Sequence, residues 1–466
     1  MRALLVSTYD LGRQPFGLAS PAAWLRRAGV EVECADTSRQ PLDDSRISAA
    51  SMIAFYLPMH TATRMAAPLI ERVRRVNPAA RLCAYGLYAP LNAGWLRDRG
   101  VHDVLGPEAE QELVRLMEAC AAGLHGPPAR GPQGSAPHQA GEPPTLARLT
   151  FIQPDRSSLP RLDRYASLQM PDGSLRVMGS TDATRGCKHL CRHCPVVPVY
   201  QGQFRVVPVD VVIDDIRVQV AAGAQHISFG DPDFLNGPTH ARRIAERFAR
   251  EFPGVTYDAT IKIEHLLDHA EMLPVLRDTG CLFITSAVES IDDEVLAKLR
   301  KGHSRADFTW AVALCRQAGI RLTPTFIPFT PWTSLEGYVE MLDALDELEL
   351  IEDVAPIQLA IRLLVTAESP LLELPDVAAV VQPFDPTSLT WPWRHPDARV
   401  DALHDTVMRI VRDAGKAPRA EVFDAISAVA SESLGQSSAP RVQREGTVGP
   451  RVTEPWYCCA EPMEPF

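Results

Sequence analysis

Short apolar runs separated by amphipathic stretches open the chain. Residues 4–6, 30–34, 53–56, 81–85 and 101–105 read as strands, and the intervening 22–28 and 63–76 repeat their apolar positions at helical spacing. Strands alternating with helices predict a parallel sheet covered on both faces, so residues 1–122 are expected to form a Rossmann-like, flavodoxin-like domain. Residues 123–148 are rich in Gly, Pro and Ala without periodicity, which predicts a linker.

A second alternation fills residues 149–399, with strands expected at 226–229, 257–263, 282–288, 321–329 and 357–365. With the strand that begins near Val177, this makes six βα units, enough for a partial barrel but not for a closed eightfold one. Active sites on such sheets lie at the C-terminal ends of the strands. Helical patterns follow over 400–434, and the polar, aperiodic residues 435–466 are expected as a mobile tail that contains Trp456-Tyr457-Cys458-Cys459-Ala460-Glu461-Pro462. No fixed-period repeat occurs, which excludes solenoids.

Composition narrows the class. An apolar share of 46% in 466 residues suffices for two cores. The net charge of -11 and pI near 5.7 argue against nucleic acid as a partner. Residues 1–10 lack the apolar length and small-residue cleavage site of a signal peptide. The longest apolar-leaning run, 49–59, falls short of the ~20 residues that a membrane helix needs, so a cytoplasmic protein without membrane contact is expected.

Ten cysteines are too few and too uneven for a secreted disulfide framework. Cys34, Cys83, Cys120, Cys281 and Cys315 stand singly and read as packing residues. Cys187, Cys191 and Cys194, in Arg185-Gly186-Cys187-Lys188-His189-Leu190-Cys191-Arg192-His193-Cys194-Pro195, have the spacing C-x3-C-x2-C. A cubane cluster normally takes four thiolates, so three leave one iron without a protein ligand. Two other readings stay open. The offsets put the thiols on one helical face, although Gly186, Pro195 and the polar residues between suit a helical core poorly. Zinc also suits Cys and His, but the usual second Cys pair is missing.

The cysteine spacing after a strand, inside six βα units, resembles the radical S-adenosylmethionine (SAM) superfamily over about residues 150–400. The run from Leu159-Pro160 through Tyr165, then Gly179 to Cys194, resembles members with an N-terminal cobalamin-binding-type domain. The resemblance implies a [4Fe–4S] cluster on Cys187, Cys191 and Cys194, with SAM on the open iron. It further implies His193 against the adenine, Gly230 and Asp231 near the SAM amino group, and Lys262 where relatives commonly place an arginine near the carboxylate. Ala287-Val288-Glu289-Ser290, followed by Leu299-Arg300-Lys301-Gly302-His303, is similar to the family's "GxES … L.KG.T" pattern, which points Glu289 and Ser290 at the SAM ribose or amino-acid portion. Ala287 stands where glycine is usual. Phe326-Ile327-Pro328-Phe329-Thr330-Pro331-Trp332-Thr333 replaces the family's "IxGxPGET", so Phe329 and Trp332 read either as pocket walls or as core packing.

Both ends of the chain add expectations. The D-x-H-x-x-G loop of many cobalamin domains is replaced by Tyr9-Asp10-Leu11-Gly12-Arg13-Gln14, without its histidine, and Tyr85-Gly86-Leu87-Tyr88 stands where a glycine pair is usual. A degenerate domain for substrate or partner contact is therefore preferred to a cobalamin carrier. The end of the chain resembles the CUAEP/CCAEP-tail radical SAM family, in which some members carry selenocysteine at the position of Cys459. That implies a catalytic redox or hydrogen-donor role for Cys458 and Cys459. The function expected is reductive cleavage of SAM and radical modification of a small or modest-sized substrate, served by an electron donor such as flavodoxin or ferredoxin. The alternatives are a cobalamin-dependent radical SAM methyltransferase and a non-catalytic Fe–S or zinc redox sensor.

Overall fold

The computed structural model describes residues 1–123, 149–436 and 448–454. The expected linker, apart from Gly123, and the Cys458–Cys459 pair lie outside the described residues.

The first sheet has five parallel strands: β1 (Arg2–Ser7), β2 (Glu31–Asp36), β3 (Met52–Tyr56), β4 (Arg81–Tyr85) and β5 (Asp103–Val104), in the order β2-β1-β3-β4-β5. Every strand expected here is present. Leu4, Val6, Ile53 and Phe55 bury one face of the sheet, and Leu5, Met52, Ala54 and Cys83 bury the other, as a sheet covered by helices on both sides requires. The chain order reverses beside β1, which puts the β1 and β3 loops at the crevice where such sheets bind ligands.

The second sheet has seven strands, in the order β13-β12-β11-β10-β7-β6-β14. Its parallel part is β7 (Leu175–Thr181), β10 (His226–Phe229), β11 (Thr256–Thr260), β12 (Cys281–Glu289) and β13 (Arg321–Phe326), curled into a half-barrel. β6 (Ser167–Gln169) and β14 (Arg451–Val452) extend it antiparallel. A small clasp of β8 (Thr184–Gly186) and β9 (Phe204–Val206) stands apart.

Two expectations change, and one open alternative closes on core packing. Residues 357–365 do not form a sixth strand: Pro356 starts a 3-10 turn at Pro356–Leu359, and only a bridge between Phe329 and Arg362 marks that position. Residues 451–453, expected as part of a mobile tail, instead lie along β6, where Thr453 N–H donates to Ser167 O at 2.9 Å. Phe329 is fully buried against Tyr338, with ring centroids 4.8 Å apart, and Trp332 donates its indole N–H to Asp376 at 2.6 Å; neither lines the cavity described below. The C-terminal helices are present at Ala398–Asp413 and Arg419–Ser433. Among the described residues, no helix is long and apolar enough to cross a membrane.

Candidate active site

The C-terminal ends of the two parallel sheets face one cavity of about 310 Å³. Asp10, Arg13, Tyr56, Met59 and Tyr88 enter from the first sheet, and Asp182, Gly230, Asp231, Lys262 and Glu289 from the second. The three thiols of the cysteine loop line the same space.

Local chemistry shapes that loop. Gly186, the last residue of β8, has φ +78°, and a Cβ there would lie 2.4 Å from the Tyr200 ring and 2.6 Å from Gln203 O. Only glycine makes this turn. Asn236 accepts from Lys188 N–H at 3.3 Å and donates to Gly186 O at 3.3 Å, which pins the loop's entry to the segment after β10. Arg192 donates from its backbone to Leu299 O at 3.0 Å and from its guanidinium to Lys298 O at 2.9 Å, which pins the middle to the helix after β12. Burial pushes the Cys187 thiol up to about 12 and raises Cys191. Without a metal these thiols stay protonated at neutral pH; a cation that binds them must displace protons.

Every other expected SAM-site residue but one reaches the cavity. His193 is buried, and its Nε2 lies 3.1 Å from Glu289 Oε1. Glu289 has φ +70°, a left-handed conformation costly for this residue type, held in place at the end of β12. Burial alone raises the Glu289 carboxyl, but Lys301 Nζ at 3.4 Å and His193 outweigh it and hold the group at about 2. Burial in turn lowers the His193 pKa against the pull of Glu289. Lys262 donates to Glu264 at 2.8 Å and lies 3.1 Å from His189 Nδ1. Asp231 accepts from Ala183 N–H at 2.9 Å and Thr184 Oγ1–H at 2.5 Å, so both its oxygens brace the approach to the cysteine loop; burial, with Asp182 adding, raises it to about 7. Ser290 does not line the cavity, and its hydroxyl accepts from Asp292 N–H.

Other lining residues had no assigned role in the sequence. Lys301, in the same run as the Glu289 pattern, supplies the counter-charge behind Glu289. Asp10 and Asp182 come from opposite sheets. Burial raises Asp10 to about 7, with Arg13 opposing and Asp182 adding to the rise. His189 and Asp233 also line the cavity, and nothing in their spacing announced it. Beneath the loop, Arg185 pairs with Glu110 at 2.8 Å and Glu108 at 3.4 Å, joining the clasp to the first sheet's helical cover.

Residues 182–345 match the family model described as the radical SAM superfamily. The hopanoid C-3 methylase of Methylococcus capsulatus is 25% identical over 342 residues, which cover 71% of this chain and 64% of that protein. The bacteriochlorophyllide d C-12(1)-methyltransferase of Chlorobaculum tepidum is 29% identical over 126 residues, 26% of this chain and 27% of that protein. The matches thus span less than two thirds of these relatives. Among solved structures, the cobalamin-dependent S-adenosylmethionine radical enzyme OxsB with aqua-cobalamin bound superimposes with a TM-score of 0.69 at 15% identity, covering 93% of this chain and 71% of that one. The radical SAM methyltransferase TsrM of Kitasatospora setae, with tryptophan and a SAM analogue bound, gives a TM-score of 0.60 at 18% identity, covering 75% of this chain and 71% of that one. At these identities the likeness concerns the fold.

Proposed function

We propose that this chain, which carries a radical SAM domain across residues 182–345, is an enzyme that cleaves SAM reductively and modifies a small-molecule substrate by radical chemistry. The observation that carries this reading is the convergence of Cys187, Cys191 and Cys194 with Lys262 and Glu289 on one cavity. Three thiols on one loop fit a [4Fe–4S] cluster, and their donor set leaves one iron for SAM. Held by these thiols, such a cluster would supply the electron for reductive cleavage of SAM into methionine and a 5′-deoxyadenosyl radical.

The chain's own groups would hold and orient the nucleotide. Lys262 offers a cation to the SAM carboxylate, on an arm that Glu264 positions. Glu289 keeps its charge at neutral pH and so suits a ribose hydroxyl or the amino group, with His193 fixing its rotamer. Gly230 leaves room for close approach; a Cβ there would lie 2.5 Å from Asp182 Oδ1. Asp231 serves as a brace for the loop, and Ser290 is assigned to the backbone turn that follows Glu289.

Cys458 and Cys459 are assigned a redox or hydrogen-donor role, supported by where the described chain leads. Glu454 pairs with Arg39 at 3.1 Å and abuts Gly12, whose neighbours Leu11 and Arg13 line the cavity. Cys458 follows four residues later, a reach of at most about 14 Å in an extended chain.

A second reading, a cobalamin-dependent methyltransferase, is favoured by Tyr56, Pro58, Met59, Leu87 and Tyr88, which line the first sheet's side of the cavity and suit a large, flat ligand. The loop after β1 offers Asp10 and Arg13 but no imidazole, so a corrin bound there would lack a histidine ligand from that loop.

Reduced protein reconstituted without oxygen should convert SAM to 5′-deoxyadenosine, and Cys187→Ala, Cys191→Ala and Cys194→Ala should abolish the conversion. Equal turnover in those variants would refute the assignment, as would metal binding without turnover in the parent. Stoichiometric uptake of cobalamin with methyl transfer from SAM would select the second reading; no uptake would remove it.

A further inference from the structure

We propose a second metal site in this protein: His189, Asp233 and His265 hold a divalent transition ion, zinc or iron(II), in the cavity wall, independently of the three cysteine thiols. The residues come from three elements. His189 belongs to the cysteine loop, Asp233 follows β10 and His265 lies on the helix Ile263–Asp268 after β11. Their ligand atoms all lie within 4.8 Å of one another. His265 Nδ1 is 2.7 Å and His189 Nε2 is 3.6 Å from Asp233 Oδ2, and the two imidazole centroids are 4.7 Å apart.

Asp233 and His265 approach as an ion pair, but the group as a whole is poorly satisfied. Asp233 Oδ2, His189 Nε2 and both ring nitrogens of His265 make no aligned hydrogen bond, although the side chains of Asp233 and His265 are only 1% exposed. Burying unpaired polar atoms is costly, so the three that face one another, one from each side chain, call for a common partner. A cation supplies one. Ligands at about 2.0–2.1 Å from a tetrahedral zinc stand about 3.3 Å apart, between the two N···O separations found here.

The surroundings suit a metal. Asp233 Oδ1 accepts from Leu235 N–H at 3.0 Å, which fixes the carboxylate and leaves Oδ2 for the ion. Lys262 Nζ at 3.1 Å and Glu264 Oε2 at 3.5 Å both face His189 Nδ1; with a metal on Nε2 the ring proton sits on Nδ1 and is given to Glu264, while Lys262 keeps its own bond to that carboxylate. Two imidazoles and one carboxylate suit zinc or iron(II) and leave a coordination position open. His189 and Asp233 both line the cavity, so that position faces the space assigned to SAM and substrate and is open to water or to a substrate oxygen or nitrogen.

The test separates this site from the cluster. Full-length Cys187→Ala/Cys191→Ala/Cys194→Ala protein should take up one equivalent of Co²⁺ with visible ligand-field bands and no thiolate charge-transfer absorption, while iron and sulfide uptake is lost. Adding His265→Gln or His189→Ala should weaken Co²⁺ binding at least 100-fold with unchanged circular dichroism. No saturable Co²⁺ binding overturns the proposal, and binding unaffected by either histidine substitution identifies an adventitious ion and also overturns it. If the cysteine variant does not fold, zinc-edge absorption decides on cluster-loaded parent that has been freed of non-cluster iron with a chelator and then given one equivalent of Zn²⁺. A shell of N/O scatterers only, at about 2.0–2.1 Å, supports the site; sulfur at about 2.3 Å, or no bound zinc, contradicts it.

Discussion

His193 Nε2 lies 3.1 Å from Glu289 Oε1, a contact that joins the cysteine loop to the end of β12 with both side chains sealed from solvent. Lys301 completes the group from behind, 3.4 Å from the same oxygen. A carboxylate buried between an imidazole and an ammonium is held ionised, and its removal strands the cation. Glu289→Ala should therefore lower stability by about 3–5 kcal/mol, measured by urea unfolding. Glu289→Gln/Lys301→Met, which removes both charges, should recover most of that loss. Equal stability of Glu289→Ala and parent would show that the pair is not desolvated.

Gly186 makes a separate prediction. Alanine there forces both a strained φ and a collision with Tyr200 and Gln203, at the residue that immediately precedes Cys187. Gly186→Ala should cost ~1–3 kcal/mol and reduce reconstituted iron to less than half of parent, with far-ultraviolet circular dichroism unchanged. Full iron loading would mean that the loop tolerates another path.

Arg185 ties the cysteine clasp to Glu108 and Glu110, and its guanidinium also lies over the rings of Phe16 and Phe151 at 5.2 and 5.1 Å. Arg185→Met leaves two acidic groups buried without their partner and should destabilise the protein by about 3–5 kcal/mol. Arg185→Met/Glu110→Gln should be milder than Arg185→Met alone, which a double-mutant cycle in urea would measure.

His60 gives a pH signature. Burial lowers its pKa from 6.5 to about 4, and its Nε2–H donates to Ser388 O at 2.6 Å, so the folded ring stays neutral. As pH falls from 6.5 toward 4, the unfolded chain takes up a proton that the folded chain refuses. The contribution is therefore present above 6.5 and lost on acidification, by at most about 3 kcal/mol. His60→Gln should flatten the stability difference between pH 7 and pH 4; an unchanged slope would show that His60 protonates in the fold.

Much of the fold was legible because burial on both faces leaves strong local marks. All five strands of the first sheet follow from short apolar runs, and the cysteine spacing marked the loop. Long-range pairing left no such mark. The apolar run 357–365 read as a strand, yet it packs as a 3-10 turn and a single bridge, because apolar content alone does not distinguish a strand from a buried turn. β14 is two residues in a polar segment, and its partner β6 lies 282 residues upstream in the Arg451–Gln169 pair. The side chains of Lys301, Asp233 and His265 acquire their meaning only through neighbours brought in by separate βα units.

The proposal that a cluster on Cys187, Cys191 and Cys194 would leave one iron corner open to SAM is tested most directly by electron–nuclear double resonance on the reduced, oxygen-free protein with SAM labelled in its carboxylate oxygen and amino nitrogen. Direct binding to the cluster predicts hyperfine coupling from both labels, lost in the Cys191→Ala variant. A reduced cluster in the parent that shows no coupling to either label would contradict it.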